Sequence, residues 1–255
     1  MYEAMMIAAT GLQNQQRRIE TIANNVANVN SAAFKSARLD FKDALYTAGF
    51  RPGPPRTPEP DGNQQKGHGV MIAGITKDFS MGALQTTDRI LDVAIEGEGF
   101  FHVVDGFGEA VYTRNGSFHV DELGFLVTGD GYYVVDVNDN RIAVPYGTES
   151  INIGETGNII FIAGEEETTV TLGLYTFRNI TGLLSAGNGN YSETVSSGER
   201  LPTNARVRQG VLEISNVKLS EEMTRLIRTQ RAFQLASRAL TTADQMEGIA
   251  NNMRR

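Results

Sequence analysis

Residues 219–240 have the sequence LSEEMTRLIRTQRAFQLASRAL, and their apolar pattern sets the architecture expected for the whole chain. The large apolar side chains recur at helical spacing, mostly every seven positions: Leu219, Met223, Leu226, Phe233 and Leu240. A heptad repeat of this kind predicts a helix whose apolar seam packs against another helix. We therefore expect residues 211–255 to supply the C-terminal helix of a coiled-coil core domain.

A similar seam lies at the other end of the chain. Its apolar residues are separated by three, four or seven positions: Met5, Leu12, Ile19, Ile22 and Val26. Residues 1–48 are therefore predicted to form the N-terminal helical part of the same core domain, with a second, shorter amphipathic segment around Leu39 and Phe41. Because a single helix is marginal in water, the economical arrangement pairs the two terminal helices as an antiparallel coiled coil. The alternative is a helical lid that packs on the chain's own β-structure.

Between these helical ends, residues 49–69 interrupt regular structure. Five of the seven prolines fall within residues 52–60, and neither a helix nor a central strand tolerates that density. The composition predicts an extended, partly polyproline-like arm, and a flexible linker is the alternative.

Residues 70–210 alternate short runs rich in Val, Ile, Phe and Tyr with turns rich in Gly, Asn and Asp. This alternation predicts a central, mostly antiparallel β-domain, so the predicted fold class is α+β. Asn115-Gly116 lies between two such runs and is typical of a type I′ hairpin turn. Residues 181–203 are polar and rich in turn residues, and we interpret them as a long loop.

The composition excludes several classes of protein. The chain of 255 residues has no cysteine, so it has no disulfide, thiol nucleophile or thiolate metal site. Its net charge of −7 argues against a nucleic-acid binder, which needs a basic surface. No apolar stretch approaches the roughly 18 residues of a membrane-spanning helix. The N-terminus lacks a basic region followed by an apolar block, so we expect no cleavable secretory signal.

The sequence predicts no enzyme activity, no cofactor and no metal site. None of the three histidines has a second histidine or a carboxylate at the spacing of helical metal ligands. His102 and His119 alternate with apolar residues, which predicts that each lies on the surface face of a strand. Gly97-Glu98-Gly99 resembles the start of a dinucleotide-binding loop, but the third glycine of that motif is missing.

A different class of function is a secreted β-domain that binds or cleaves glycans. The acidic, turn-rich middle of the chain motivates this alternative, which requires a cleft with paired carboxylates. The chain has no tryptophan, so it lacks the strongest aromatic platform for a sugar ring.

Three blocks of sequence resemble the bacterial flagellar rod and hook proteins. They are IANNVANVNS at residues 22–31 followed by Phe34-Lys35, DVAIEGEGFF at 92–101 followed by YTRNGSF at 112–118, and QRAF and TADQM within 230–246. The motif residues carried over from the family are Asn24, Asn25, Asn28, Phe34, Lys35, Gly97, Gly99, Phe100, Phe101, Gln230, Arg231 and Asp244. The family often has glycine before Phe-Lys, where this chain has Ala33, and this departure leaves the bend at residues 31–34 open.

The resemblance implies a structural subunit that assembles helically into the flagellar rod, the drive shaft that crosses the periplasm. Length and the proline-rich arm favour the distal-rod branch of the family, with a proximal rod or hook subunit as the alternative. The implied partners are further copies of this chain, other rod proteins, the hook protein and the bushing-ring proteins. The flagellar export apparatus is a further implied partner, because members of the family are exported without a cleaved signal peptide.

Asn24, Asn25 and Asn28 have two interpretations. As polar residues beside a coiled-coil seam, they would fix the register of the helices at some cost in stability. Alternatively, they form the exposed face and the fraying end of the first helix.

Overall fold

The computed structural model describes residues 2–43, 46–48, 65–67 and 70–253. The chain forms two compact units, of which the first comprises residues 1–26, 37–76 and 219–255 and the second comprises residues 27–36 and 77–218. The proline-rich arm expected at residues 49–69 lies outside the described residues, apart from residues 65–67.

Among its described residues, the first unit contains two helices and four strands. Its elements are α1 (Tyr2–Ala27), β1 (Ala37–Asp43), β2 (Tyr46–Ala48), β3 (Gln65–Gly67), β4 (Val70–Lys77) and α2 (Leu219–Asn252). Strand β1 pairs with β4, and β2 pairs antiparallel with β3. Glu221 and Glu222 lie in the first turn of α2, where negative charge is favourable beside the helix dipole.

The second unit is built from antiparallel strands and one turn of 3₁₀-helix (Ile180–Gly182). Its strands are β5 (Leu84–Thr86), β6 (Val93–Glu96), β7 (Phe100–Val104), β8 (Ala110–Thr113), β9 (Phe118–Val120), β10 (Leu126–Thr128), β11 (Tyr133–Val134), β12 (Ser150–Ile153), β13 (Asn158–Ala163), β14 (Glu166–Thr171), β15 (Leu174–Phe177), β16 (Leu184–Gly187), β17 (Asn190–Ser192), β18 (Arg200–Pro202), β19 (Arg206–Gln209) and β20 (Val211–Glu213). The α+β class with mostly antiparallel sheets is therefore confirmed.

A nine-stranded sheet organises the second unit. Its strand order is β16-β17-β8-β7-β11-β10-β9, and β15 pairs with both β7 and β18. Strands β12, β13 and β14 form a separate three-stranded sheet, whereas β6 pairs with β19 and β5 pairs with β20. Every residue of β7 is buried, because a large aliphatic core covers one face of this strand and an aromatic cluster covers the other.

The burial of β7 on both faces corrects the prediction for His102. The sequence predicts a surface position, but His102 is buried and its ring stacks on the ring of Tyr112. Alternation of polar and apolar residues along β7 would place His102 on a solvent-exposed face. That face is covered instead, because Tyr175 and Arg200 lie against His102. His119 is exposed, as predicted.

Three local predictions are wrong. Leu39 and Phe41 lie in β1 rather than in a second helical segment, because sheet pairing with β4 overrides the local apolar pattern. Residues 181–203 are not one long loop, since they contain β16, β17 and β18. Asn115-Gly116 does not close a hairpin between β8 and β9, because β8 pairs with β7 and β17 whereas β9 pairs with β10.

Gly116 has a different structural reason to be glycine. A Cβ atom at this position would lie 1.7 Å from the carbonyl oxygen of Val93. The glycine therefore permits a close approach of two backbones, and the Gly116 carbonyl accepts a hydrogen bond from the Val93 N–H at 3.0 Å.

Candidate assembly interface

Most residues of the two helical seams are partly buried. On α1, Met5, Leu12, Ile19 and Val26 are half-buried and Ile22 is buried. On α2, Leu226, Phe233 and Leu240 are half-buried, whereas Leu219 and Met223 at the start of the helix are exposed. The inner row of α2 advances by alternating steps of four and three residues: Glu222, Leu226, Thr229, Phe233, Ala236, Leu240 and Ala243.

Two polar members of this row, Glu222 and Thr229, are not predicted from the sequence to belong to the seam. Both side chains are buried, although polar residues of these types are usually exposed. Their spacing from Leu226 is the available signal, because one lies four residues before it and the other three residues after it. The hydroxyl of Thr229 donates a hydrogen bond to the Arg225 carbonyl at 2.8 Å, which satisfies it within its own helix.

Asn25 connects α1 to two other elements of the first unit. Its Oδ1 atom accepts from the Ala37 N–H at 2.9 Å, and its Nδ2 atom donates to the Ala37 carbonyl at 2.9 Å. The same Nδ2 atom lies 3.4 Å from Oε2 of Glu222 on α2. Because Asn25 is 1% exposed, these are contacts in a dry environment, where a polar group needs its partners.

The buried Glu222 carboxylate also has a cationic partner. Its Oε1 atom accepts a hydrogen bond from Nη1 of Arg225 at 2.7 Å. The ion pair lies within the first turns of α2 and offsets the cost of taking the carboxylate out of water.

The other two motif asparagines have different surroundings. Asn24 is exposed on α1, one residue before the buried Asn25. Asn28 is half-buried, and its Oδ1 atom accepts from the Ser31 hydroxyl at 3.1 Å in the turn that ends α1. The three asparagines therefore lie in three different surroundings. Asn25 is buried and connects three elements, Asn24 is exposed, and Asn28 lies in the turn that ends α1.

The Phe34-Lys35 motif lies in the second unit and carries a buried charge. Lys35 Nζ lies 2.6 Å from Oε1 of Glu213 and donates to the Ser80 carbonyl at 2.8 Å. Nη1 of Arg114 lies 3.3 Å from the other carboxylate oxygen of Glu213. Burial lowers the pKa of Lys35 below its ordinary value, and the adjacent Glu213 carboxylate opposes this effect.

The backbone conformation of Ala33 defines the bend at residues 31–34. Its φ angle is +54°, in the left-handed region that favours glycine, and its side chain is buried. The Ala33 N–H donates to the Glu213 carbonyl at 2.8 Å, and the Phe34 carbonyl accepts from the Asn216 N–H at 3.3 Å. The bend therefore keeps the glycine-type geometry although the residue is alanine.

The remaining motif residues divide between core and surface. Phe100 and Phe101 point into the two cores on opposite faces of β7. Gly97 has a φ angle of +116°, and a Cβ at Gly99 would lie 2.9 Å from the Thr203 methyl group. The three motif residues of α2 are all exposed: Gln230, Arg231 and Asp244.

A pocket of about 400 Å³ in the second unit is lined by two carboxylates, Asp139 and Glu193, which are the residue types that the glycan alternative requires. Asp139 binds Arg200 through two hydrogen bonds of 3.0 and 2.7 Å, and Oε2 of Glu193 accepts from the Tyr112 hydroxyl at 3.4 Å. Both carboxylates are engaged by the protein itself. Across the described ranges, no group of three or more acidic or histidine side chains could hold a metal ion.

Known proteins are similar to this chain both in separate segments and over its whole length. Residues 5–35 match the family described as "Flagella basal body rod protein", residues 94–161 match "Flagellar hook protein FlgE/F/G D1 domain", and residues 208–253 match "Flagellar basal body rod FlgEFG protein C-terminal". The chain is 40% identical to the flagellar basal-body rod protein FlgG of Borreliella burgdorferi, over 100% of both chains. It is 36% identical to FlgG of Bacillus subtilis and 32% identical to the flagellar hook-basal body complex protein FlhP of the same organism, again over 100% of both chains.

The chain belongs to the flagellar basal-body rod family. The predicted resemblance to the distal rod protein, FlgG, is confirmed by these full-length matches. The matches support a structural subunit of the distal rod in the flagellar basal body, in a family of structural proteins rather than enzymes. Within the part of the chain that the structure describes, neither helix combines the length and the apolar character needed to cross a membrane.

Proposed function

We propose that this rod-family chain polymerises helically into a rigid drive shaft that transmits torque from the motor to the hook. The observation that carries the proposal is the combination of full-length similarity to rod proteins with two terminal helices that each present a partly buried seam. A contact between two different surfaces of the same chain produces a helical filament when its rotation does not close a ring.

The inner layer of this shaft would be a coiled coil of α1 and α2. The hydrogen bond between Asn25, in the last turn of α1, and Glu222, in the first turn of α2, joins the two helix ends that an antiparallel pairing would place together. The assembly seam would consist of the apolar residues identified from their spacing: Met5, Leu12, Ile19, Ile22, Val26, Leu219, Met223, Leu226, Phe233 and Leu240. Because a pair of helices leaves flanks uncovered, neighbouring copies would complete the burial.

The remaining segments would have separate tasks. Residues 1–48 and 211–255 would build the core domain, residues 49–69 the arm, and residues 70–210 an outward-facing β-domain. Partners at the two ends of the shaft would be other rod proteins and the hook protein, with the bushing-ring proteins around it. The chain would reach the periplasm through the flagellar export apparatus and keep its N-terminus.

Substitution within the α2 seam tests the proposal. Phe233→Gln places an amide in the half-buried row, so we expect the purified chain to lose filament formation in electron micrographs. Gln234→Ala changes the exposed neighbour on the same helix and is the matched control, which should assemble as the unmodified chain does. Filaments of unchanged length and yield from Phe233→Gln would contradict the seam's role.

The shape of the polymer discriminates a rod subunit from a hook subunit. A distal or proximal rod subunit should form straight, stiff filaments, whereas a hook subunit should form curved, flexible ones. Electron microscopy of filaments assembled from the purified chain therefore separates rod from hook directly.

A further inference from the structure

The turn between β7 and β8 presents a fully uncovered aromatic side chain. Phe107, at the tip of this turn, is 97% exposed. Burial of this side chain against a partner would remove its apolar surface from water and so favour association. Aromatic residues of this kind dominate the binding energy of protein interfaces when they enter a pocket.

The turn holds Phe107 in a defined position. Oδ1 of Asp105 accepts hydrogen bonds from the N–H groups of Phe107 and Glu109, each at 2.8 Å. The Asp105 N–H donates to the Glu109 carbonyl at 3.1 Å, and Gly108 has a φ angle of +91° that a side chain would disfavour. A backbone fixed in this way loses little conformational freedom on binding, which favours affinity.

A pocket of complementary character lies at the opposite end of the same hairpin. Its volume is about 560 Å³, well above the ~150 Å³ of a protein cavity known to hold a benzene ring. Phe100 at the start of β7 and Arg114 just after β8 both line it. Since Val104 pairs with Ala110 beside the turn and Phe101 pairs with Thr113 near the pocket, the hairpin separates the two features by its full length.

The floor of the pocket is aromatic. Phe79 and Phe100 meet edge to face with ring centroids 5.7 Å apart, and Met81 and Ile180 add further apolar surface. Phe100 is fully buried beneath Phe79, so the half-buried Phe79 is the ring that offers an incoming phenyl group an edge-to-face contact.

The pocket also contains a cation that lacks a carboxylate partner. Lys77 Nζ contacts the Ser185 hydroxyl at 3.1 Å and the Tyr191 hydroxyl at 3.4 Å, and it lies 4.8 Å from the centre of the Tyr191 ring. No carboxylate among the described residues pairs with it, although Asp78 and Glu98 also line the pocket. Glu109, exposed two residues after Phe107, has the charge that would complement Lys77.

We infer that Phe107 of one copy of this chain docks into the Phe79–Phe100 pocket of the next copy, so that the hairpins associate head to tail. This inference rests on the proposed polymerisation and names a contact within it. A projecting apolar side chain and a matching pocket at two different places on one molecule make a contact that does not close on itself, which is the requirement for a filament.

Cross-linking tests the contact directly, because the chain has no cysteine of its own. Two single-cysteine variants, Gly106→Cys beside the intact Phe107 and the pocket variant Met81→Cys, are mixed, allowed to assemble and treated with a short bis-maleimide; a Cβ at Gly106 meets no atom within 4 Å. We expect a covalent dimer that contains one copy of each variant. Tyr146→Cys mixed with Met81→Cys is the matched control, because Tyr146 is equally exposed on another turn of the same unit.

The yields of the two mixtures decide the matter. A yield at least about tenfold above the Tyr146→Cys control supports the contact, because tenfold is a clear preference in binding. Equal yields in filaments that otherwise form normally would overturn this inference and leave the proposed polymerisation intact. Failure of the unmodified chain to form any filament would overturn both.

A side-chain deletion gives an independent measure. Phe107→Ser should raise the concentration needed for assembly by about tenfold or more, as truncation of an interface hot spot does. Tyr146→Ser should leave that concentration unchanged. Because both side chains are exposed, both variants should melt at the temperature of the unmodified chain, and an unchanged assembly concentration for Phe107→Ser would contradict the contact.

Discussion

At the scale of single residues, this chain concentrates strain and buried charge beside its family motifs. Ala33 adopts a left-handed backbone conformation inside the second unit, one residue before the Phe34-Lys35 motif. Lys35, Glu213 and Arg114 then form an ion cluster that is almost completely buried. Such a cluster is stable only with all members present, since removal of one leaves an uncompensated charge.

The conformation of Ala33 predicts that the same substitution costs more stability there than at the adjacent Ala32. Ala33→Val should destabilise the chain by about 2 kcal/mol or more, because a β-branched side chain strongly disfavours a positive φ and the site is buried. Ala32→Val, at the half-buried neighbour, is the control and should cost clearly less. Thermal or urea unfolding measures both changes, and equal costs would contradict the importance of the left-handed conformation.

The environment of His102 predicts a pH dependence of stability. Burial lowers the pKa of His102 below its ordinary 6.5, and the nearby Arg200 acts in the same direction. Asp139 opposes them through its contact of 3.2 Å with Nδ1. The folded chain therefore binds this proton less readily than the unfolded chain, in which the pKa is ordinary.

The contribution of His102 to stability should be complete above pH 6.5 and should be lost as the pH falls below that value. His102→Gln should flatten this part of the profile of unfolding free energy against pH. His119→Gln, at an exposed strand position, is the control and should leave the profile unchanged. A profile of His102→Gln that still falls as steeply below pH 6.5 would contradict the assignment.

At the scale of elements, Asn25 is the residue that α1, β1 and α2 share. Its side-chain amide pairs with both backbone groups of Ala37, as a neighbouring strand would, and also reaches Glu222. One short side chain thereby fixes the position of the end of α1 relative to the start of β1 and the first turn of α2. The role in register that the sequence suggests for the motif asparagines stays a prediction, and Asn25 is the one of the three whose contacts favour it.

Substitution of Asn25 tests this role. Asn25→Ala leaves a buried backbone N–H and carbonyl without their partner, so we expect a loss of about 2 kcal/mol in the free energy of unfolding. Gln13→Ala alters an exposed position on the same helix and is the control, which should cost little. Chemical denaturation followed by helical circular dichroism compares the two variants. Equal, small losses would show that Asn25 does not connect the elements.

The elements show how far the sequence alone predicts this fold. The long periodic seams identify α1 and α2, because three- and four-residue spacing is a local property of a helix. Strand β1 is missed, since its apolar pattern is ambiguous and its structure depends on pairing with β4. The burial of Lys35 and His102 is missed for a related reason: their partners Glu213 and Asp139 are distant in sequence, and no local pattern records such contacts.

At the scale of the whole molecule, the surfaces that favour assembly are divided between the two units. The first unit carries the helices with their partly buried seams, and the second carries the antiparallel sheets with the exposed Phe107 and the pocket at the other end of the same hairpin. Each unit therefore offers surfaces that one copy leaves incomplete. That incompleteness is what a subunit of a polymeric shaft requires, and it agrees with the full-length similarity to rod proteins.

Electron cryo-microscopy of polymer assembled from the purified full-length chain tests the central claim most directly. The account predicts straight, stiff filaments in which α1 and α2 form the inner helical layer and the sheets face outward. A chain that stays monomeric at high concentration, or filaments whose inner layer contains the sheets instead of the helices, would contradict it.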